Sequence, residues 1–269
     1  LIDFLKNFVS LYKIDGIIFD DICYPNNNVS YDDVSLYRFY TRGNPKLLDY
    51  SDYQREQLNL LISRLYCVIK SINRDVSVAV ITTTEYKNPQ TLSGSFYKNF
   101  QDVKFWIEQN WVDFVVVKPK NNQEVKNFVS VVQKEKTVVW VLPEVPQIEI
   151  EKILQTNLLG SIFSSSAKSN YTTSFLQQPK FEINNNILIG YVIDETSSPV
   201  EDAWITLYQQ NKDVGFTLTT KDGMFCFIYK STPSELTLKI DYPWCETVIS
   251  TNCISHDNNI LILSPIVLQ

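Results

Sequence analysis

The spacing of hydrophobic and polar positions changes character near residue 180. Before that point, short apolar runs alternate with segments whose apolar residues recur three and four apart. The runs are residues 14–20, 76–82 (VSVAVIT), 113–119 (DFVVVKP), 138–143 (VVWVLP) and 158–165 (LLGSIFSS), and each reads as a strand. A helical pattern is already under way at Leu1. A second one carries Leu58, Leu61, Ile62, Leu65 and Ile69, with Ser51 or Asp52 able to cap it. Further helices are expected around residues 100–109, 124–134 and 149–155, whereas the Tyr- and Asn-rich residues 23–50 read as a long loop. Regular strand–helix alternation predicts an α/β fold with a parallel sheet and right-handed crossovers. Five strands do not close a barrel of eight. They form either an open sheet or the second half of a barrel.

After residue 180 the period becomes two. ILIGYVID (187–194) and AWITLYQQ (203–210) flank the turn ETSSPVED, and VGFTLTTKDGMFCFIY (214–229) carries Asp222-Gly223, the signature of a tight turn. ELTLKIDY (235–242) and NILILSPIVL (259–268) complete a small all-β sandwich with no catalytic spacing. The expected division is therefore 1–178 for the α/β part and 183–269 for the sandwich.

Composition narrows the function classes. With 44% hydrophobic and 13% aromatic residues over 269 positions the chain is globular. A net charge of −6 with no basic stripe argues against nucleic acid as a partner. No window reaches the ~18–20 uninterrupted apolar residues of a membrane span. The chain starts at Leu1 inside a helical pattern, so the expectation is a piece of something longer, with any signal peptide upstream. The five cysteines include no C-x-x-C pair and His256 is the single histidine, which makes a zinc site unexpected and calls for no metal or cofactor. Cys245 and Cys253 could bridge a hairpin, while the odd total leaves a thiol over. Most read as small buried apolar residues.

The segment richest in chemistry is Ile14–Pro25, IDGIIFDDICYP. An apolar strand runs directly into Asp20 and Asp21. Acids at the C-terminal tip of a buried strand are where α/β enzymes place their chemistry, and two adjacent carboxylates gain nothing from burial unless solvated or paired.

The same residues carry a resemblance. Asp15-Gly16-Ile17-Ile18-Phe19-Asp20-Asp21-Ile22-Cys23-Tyr24-Pro25 is similar to the D-G-I-H-F-D-D-Y-F-Y-P pattern of the fourth barrel strand in the glycosyl-hydrolase-like 10 family of bacterial TIM-barrel proteins. Arg55, Leu58, Asn59 and Tyr66 sit in a helix like that family's. Tyr97, Gln101, Asp102, Trp106, Trp111, Val112, Asp113 and Phe114 echo its Y-x4-Q-D-x3-W run, and Gly160, Phe163 and Ser164 its final G-x3-F-S. The resemblance covers about residues 1–175 and implies a partial (β/α)8 TIM barrel, strands four to eight, without the first three. After residue 183, Gly190, Val192, Asp194, Pro199, Val200, Ala203, Ile205 and Leu207, then Thr219, Asp222, Gly223, Phe225 and Phe227, resemble carboxypeptidase-regulatory-like (transthyretin-like) domains. Such modules are common appendages of secreted and cell-surface bacterial proteins.

The first resemblance implies a secreted glycoside hydrolase acting on a polysaccharide through carboxylates on the barrel's C-terminal face. By that mapping Asp20 is the nucleophile or general base. Asp21 orients it or binds sugar, and Glu85 or Glu144 is the proton donor. Tyr24 and Trp140 are candidates to stack on sugar rings, as is Tyr86, and Lys118 is a candidate contact to substrate or to Asp20. Departures from the family pattern stand beside these matches. Ile18 replaces a His, Thr82-Thr83-Thr84-Glu85 replaces S-P-F-G, and Val117-Lys118-Pro119-Lys120-Asn121-Asn122 replaces A-P-Q-x-Y-W. The alternative expectation is a catalytically impaired carbohydrate-binding or cell-surface scaffold protein, in which Lys118 neutralises Asp20.

Overall fold

The computed structural model describes residues 1–119, 121–132, 139–141, 160–161, 185–230, 235–243, 245–252 and 260–268. Two compact units emerge. One comprises residues 1–6, 30–72 and 183–269, the other residues 7–29 and 73–182. It is a mixed α/β protein with several sheets, and no closed barrel occurs among the described residues.

The second unit is built on a parallel sheet. Strands β1 (Gly16–Phe19), β2 (Ser77–Thr82), β3 (Phe114–Val117), β4 (Val139–Val141) and β5 (Gly160–Ser161) lie side by side in chain order. The order runs without a reversal. A doubly wound sheet would reverse at a switch point. β3 is buried at every position and β2 at four of six, because Val and Ala face apolar neighbours on both sides. β1 is an edge strand with alternating exposure, leaving Gly16 and Ile18 to solvent. Helices α4 (Ser95–Lys98) and α5 (Val103–Glu108) precede β3, and α6 (Asn122–Val132) follows it. Here α5 packs on α6, and Trp106 on α5 is wholly buried.

The family-like Q-D and W-V-D residues have structural roles in this unit. Asp102 caps α5 by accepting the Phe105 N–H, and it also accepts the Tyr86 hydroxyl. Asp113 accepts the Val78 N–H at 2.7 Å through its carboxylate, while its own N–H donates to Val78 O at 2.8 Å. One side chain thus extends the β2–β3 ladder by a residue.

The first unit joins helices to the sandwich. Helix α2 (Asp33–Tyr40) lies inside the stretch expected to be a loop. Asp32 caps it through the Ser35 N–H, and the helix is short with no fully buried residue, so the apolar period that would reveal it is missing. Helix α3 (Tyr50–Ile72) is the long helix expected, but its cap is Asp49, whose carboxylate accepts the Asp52 N–H at 2.8 Å. Ser51 and Asp52 already lie in its first turn. α3 packs on strands β6 (Asn185–Asp194) and β9 (Met224–Lys230). Arg38 forms a bidentate pair with Asp202, at 2.6 and 3.0 Å, whose hydrogen bonds hold the guanidinium pKa well above its ordinary value. Arg42 lies over the rings of Trp204 and Tyr242 at 4.7 and 5.0 Å and donates to Asp241 O.

In the sandwich itself, β7 (Trp204–Gln209) and β8 (Lys212–Leu218) form a hairpin whose two turn residues, Gln210 and Asn211, both have positive φ, as a type I′ turn requires. β10 (Glu235–Tyr242) and β11 (Cys245–Asn252) form a second hairpin, and the sheet order is β11-β10-β7-β8. The other sheet centres on β6. It pairs antiparallel with β9 and parallel with β12 (Ile260–Ile262) and β13 (Ile266–Leu268). The single strand expected at 259–268 is thus two, offset by one residue in register around Pro265, which has no N–H to give the ladder.

The bridge expected between Cys245 and Cys253 falls on Cys253, which lies outside the described residues; Cys245 opens β11. One expectation changes here. Asp222-Gly223 does form a tight turn, Gly223 N–H to Thr220 O at 2.8 Å, but β8 and β9 enter different sheets. Gly223 has φ +74°, and a Cβ there would lie 2.3 Å from Val192 O. Gly223→Ala should therefore destabilise the chain by about 2–4 kcal/mol, from left-handed strain plus a backbone clash. Asn tolerates the dihedral but still carries a Cβ. A thermal melt in which Gly223→Asn recovers the wild-type midpoint would show that the clash contributes nothing.

Candidate functional site

Asp20 stands one residue past β1, at the C-terminal edge of the parallel sheet. β1's alternation puts Ile18 and Asp20 on its exposed side, so the position that carries His in the resembling family shares a face with the carboxylate. Asp20 is itself exposed. Its Oδ1 accepts the Asp21 N–H at 3.0 Å and lies 3.5 Å from Lys118 Nζ, just past β3. Oδ2 has no hydrogen-bond partner among the described residues. An ion pair this exposed contributes little to stability. Its consequence is chemical, because a lysine brought over the strand ends places a cation beside the carboxylate.

Asp21 adopts φ +53°, a conformation Asp tolerates better than most residues, and the Cys23 N–H closes a tight turn onto its carbonyl at 2.8 Å. The turn points the chain away from the sheet immediately after the two acids. Burial, then the charges of Asp21 and Asp20, push the Cys23 thiol above its usual pKa.

A clamp holds this turn. Gln101 is buried, and its Nε2 reaches both Ile22 O and Ile81 O at 3.3 Å while its Oε1 accepts the Thr82 hydroxyl at 3.0 Å. Two residues earlier, Asn99 exchanges hydrogen bonds with Tyr24. The Tyr24 N–H donates to Asn99 O at 3.1 Å, and Asn99 Nδ2 donates to Tyr24 O at 2.9 Å. The Tyr24 ring meets Phe100 edge-on at 5.3 Å. Gln101 was visible as part of a family-like run, but its role depends on the loop after β1 folding back beside the end of β2.

The remaining sequence candidates fall in different places. Glu85 is exposed and accepts the Ser93 hydroxyl within its own loop, while its carbonyl takes the Thr83 hydroxyl and the Ser95 N–H. Among the described residues it shares no hydrogen-bond or ion-pair partner with Asp20. Tyr86 is buried and committed to Asp102. Trp140 belongs to β4, in register with Val116 and Gly160. Glu144 lies outside the described residues. Asp20, Asp21 and Lys118 are brought together, and Glu85 is not tied to them. A carboxylate that sequence reasoning passed over is Glu124 in the first turn of α6. It is half-buried and accepts the Thr84 hydroxyl at 2.8 Å, just past β2. Its signal was the spacing Asn121-x-x-Glu124 directly after a strand, with Asn121 accepting the Glu124 N–H.

No helix among the described residues is long and apolar enough to cross a membrane. Residues 1–148 match the glycosyl hydrolase-like 10 family. No curated protein matches the chain. Among solved structures, the chain is similar to a 5-hydroxyisourate hydrolase from Klebsiella pneumoniae, at 15% identity over 31% of this chain and 91% of that one, with a TM-score of 0.25. It is also similar to a 3-chlorocatechol 1,2-dioxygenase from Rhodococcus opacus, at 12% identity and TM-score 0.24, covering 32% of this chain and 60% of the dioxygenase.

Proposed function

This chain belongs to the glycosyl hydrolase-like 10 family, and from that premise we propose that it acts on a polysaccharide or glycan at the C-terminal rim of its parallel sheet. The observation that carries the reading is Asp20, an exposed carboxylate at a strand tip with a cation 3.5 Å away and one oxygen without a hydrogen-bond partner among the described residues. An ion pair with lysine uses the carboxylate form, the form a nucleophile or general base needs. Asp21 and Tyr24, held beside it by the Gln101 and Asn99 clamp, line the same turn and supply polar and aromatic contacts for a sugar. Proton donation falls to Glu85 or Glu144. In this reading the five parallel strands are the fourth to eighth of a (β/α)8 barrel, residues 1–178 are the hydrolase-like part, and residues 183–269 are a carboxypeptidase-regulatory-like sandwich. Secretion to the cell surface belongs to the same proposal, supported by the resemblance of that sandwich to appendages of exported bacterial proteins.

A second reading has a specific observation in its favour. Ile18 stands exposed where the family pattern carries His, and Lys118 pairs with the one well-placed carboxylate. Both suit a protein that binds glycan without cleaving it. The two readings separate in a panel of polysaccharides and aryl glycosides assayed for release of reducing ends and, in parallel, for binding. Release supports the hydrolase. Binding without release supports the scaffold. The absence of both release and binding across the panel overturns carbohydrate as the partner.

A further inference from the structure

The β1–β2 ladder ends at the pair Phe19↔Val80, so Asp20 and Asp21 lie beyond it, in a turn that leaves the sheet. A side chain from elsewhere in the same unit holds that turn. Gln101 is 4% exposed, and its amide meets two carbonyls and one hydroxyl, those of Ile22, Ile81 and Thr82, at 3.0–3.3 Å. A carbonyl only accepts, so both must face Nε2, which leaves Oε1 to the Thr82 hydroxyl. The amide therefore fits in one orientation. A carboxylate would oppose both carbonyls, and a hydrocarbon of the same length would take the partner from all three groups. The backbone of Gln101 ties back further. Its N–H donates to Ser95 O at 3.0 Å, and the Ser95 N–H donates to Glu85 O at 2.9 Å. A chain of contacts thus runs from the turn behind Asp20, through Gln101, to the loop that carries a proposed proton donor.

We propose that Gln101 is a positioning residue of this site, whose amide sets where the Asp20 carboxylate stands against the end of β2 and the Glu85 loop, and thereby sets the turnover that Asp20 supports. The inference rests on the reading of Asp20 as the working carboxylate. A polar link that only stabilised the core would raise the melting midpoint and leave the function of Asp20 indifferent to its loss. A positioning residue acts on kcat, because misplacing a reacting group by about 1 Å costs about a hundredfold in rate.

Gln101→Glu tests this, because it keeps the length while its donor comes and goes with pH. Burial raises the pKa of a carboxyl in that place. Below that pKa it is neutral and has one O–H to give to Ile22 O or Ile81 O; above it, the charged group has none. Against the unaltered chain at the same pH, kcat should fall roughly a hundredfold near pH 8 and recover about tenfold near pH 5, with KM within about twofold. Cys23, next to Ile22, reports the turn without any substrate. Burial is the first cause of its raised thiol pKa, so a loosened turn should let iodoacetamide alkylate it about tenfold faster near pH 8, read by peptide mapping. Unchanged alkylation in the folded variant overturns the proposal, as does faster alkylation with unaltered kcat in an active protein. If the unaltered chain neither releases nor binds glycan, the carbohydrate reading falls, while Cys23 still decides whether Gln101 places the turn. Should the variant not fold, the unaltered protein gives the answer by hydrogen exchange. The Gln101 side-chain amide protons should exchange at least about a hundredfold more slowly than those of an exposed glutamine, and exchange at the exposed rate overturns the proposal.

Discussion

Asp20→Asn is expected to lower hydrolysis at the proposed site by about two to four powers of ten, the range for loss of one acid–base or nucleophilic group, while the fold stays intact. The amide is nearly isosteric and its oxygen can still accept the Asp21 N–H, so the turn keeps its geometry. What disappears is the charge facing Lys118 and the lone pair that attacks or activates water. An exposed pair contributes at most about 1 kcal/mol, so the melting midpoint should barely move. Cys23 supplies a reporter that does not depend on activity. Burial chiefly, and the charges of Asp21 and Asp20 in addition, hold its thiol protonated. Removing the Asp20 charge shifts the Cys23 pKa downward, so iodoacetamide should alkylate Cys23 faster at a fixed pH near 8. Full turnover by the variant would remove Asp20 from the chemistry. Unchanged alkylation would show that its charge does not reach the turn.

Trp106→Ala should cost about 3–5 kcal/mol, a large share of the ~5–15 kcal/mol that holds a typical domain. Trp106 is the largest wholly buried side chain among the described residues and sits on α5, which is only six residues long. A helix so short is not stable by propensity and depends on packing for its existence. Its backbone is also committed at both ends, with its N–H donating to Asp102 O and its carbonyl accepting the Trp111 N–H. Truncation leaves a cavity beneath a capped turn that cannot collapse without breaking those bonds. Guanidinium unfolding followed by far-UV circular dichroism measures the loss. A midpoint shift worth less than about 1 kcal/mol would mean that the site closes over the void.

The parallel sheet was legible because β2 and β3 are short runs of β-branched and apolar residues, a pattern that burial on both faces imposes wherever it occurs. Helix α2 was not. Asp33–Tyr40 has no residue buried deeply enough to impose an apolar period, and its stability rests on the Asp32 cap and on Arg38 pairing with Asp202, distant in sequence. Strand β11 escaped for a related reason: CETVISTN mixes polar and β-branched residues, and its place is set by the register Tyr242↔Cys245 with β10. At the candidate site the two acids were evident from their position after an apolar run. The Thr84–Glu124 contact joins a loop to a helix forty residues away and leaves no local mark.

Local pattern thus specified the alternation of elements, the acids at the tip of β1, the turn at Asp222-Gly223 and the change of architecture near residue 180, since each depends on neighbours within a few positions along the chain. Tertiary structure alone decided that Lys118 reaches Asp20, that Gln101 closes over Ile22, and that α3 packs on β9. Those contacts are made between segments whose closeness is paid for by burial elsewhere, and no spacing within either segment encodes them.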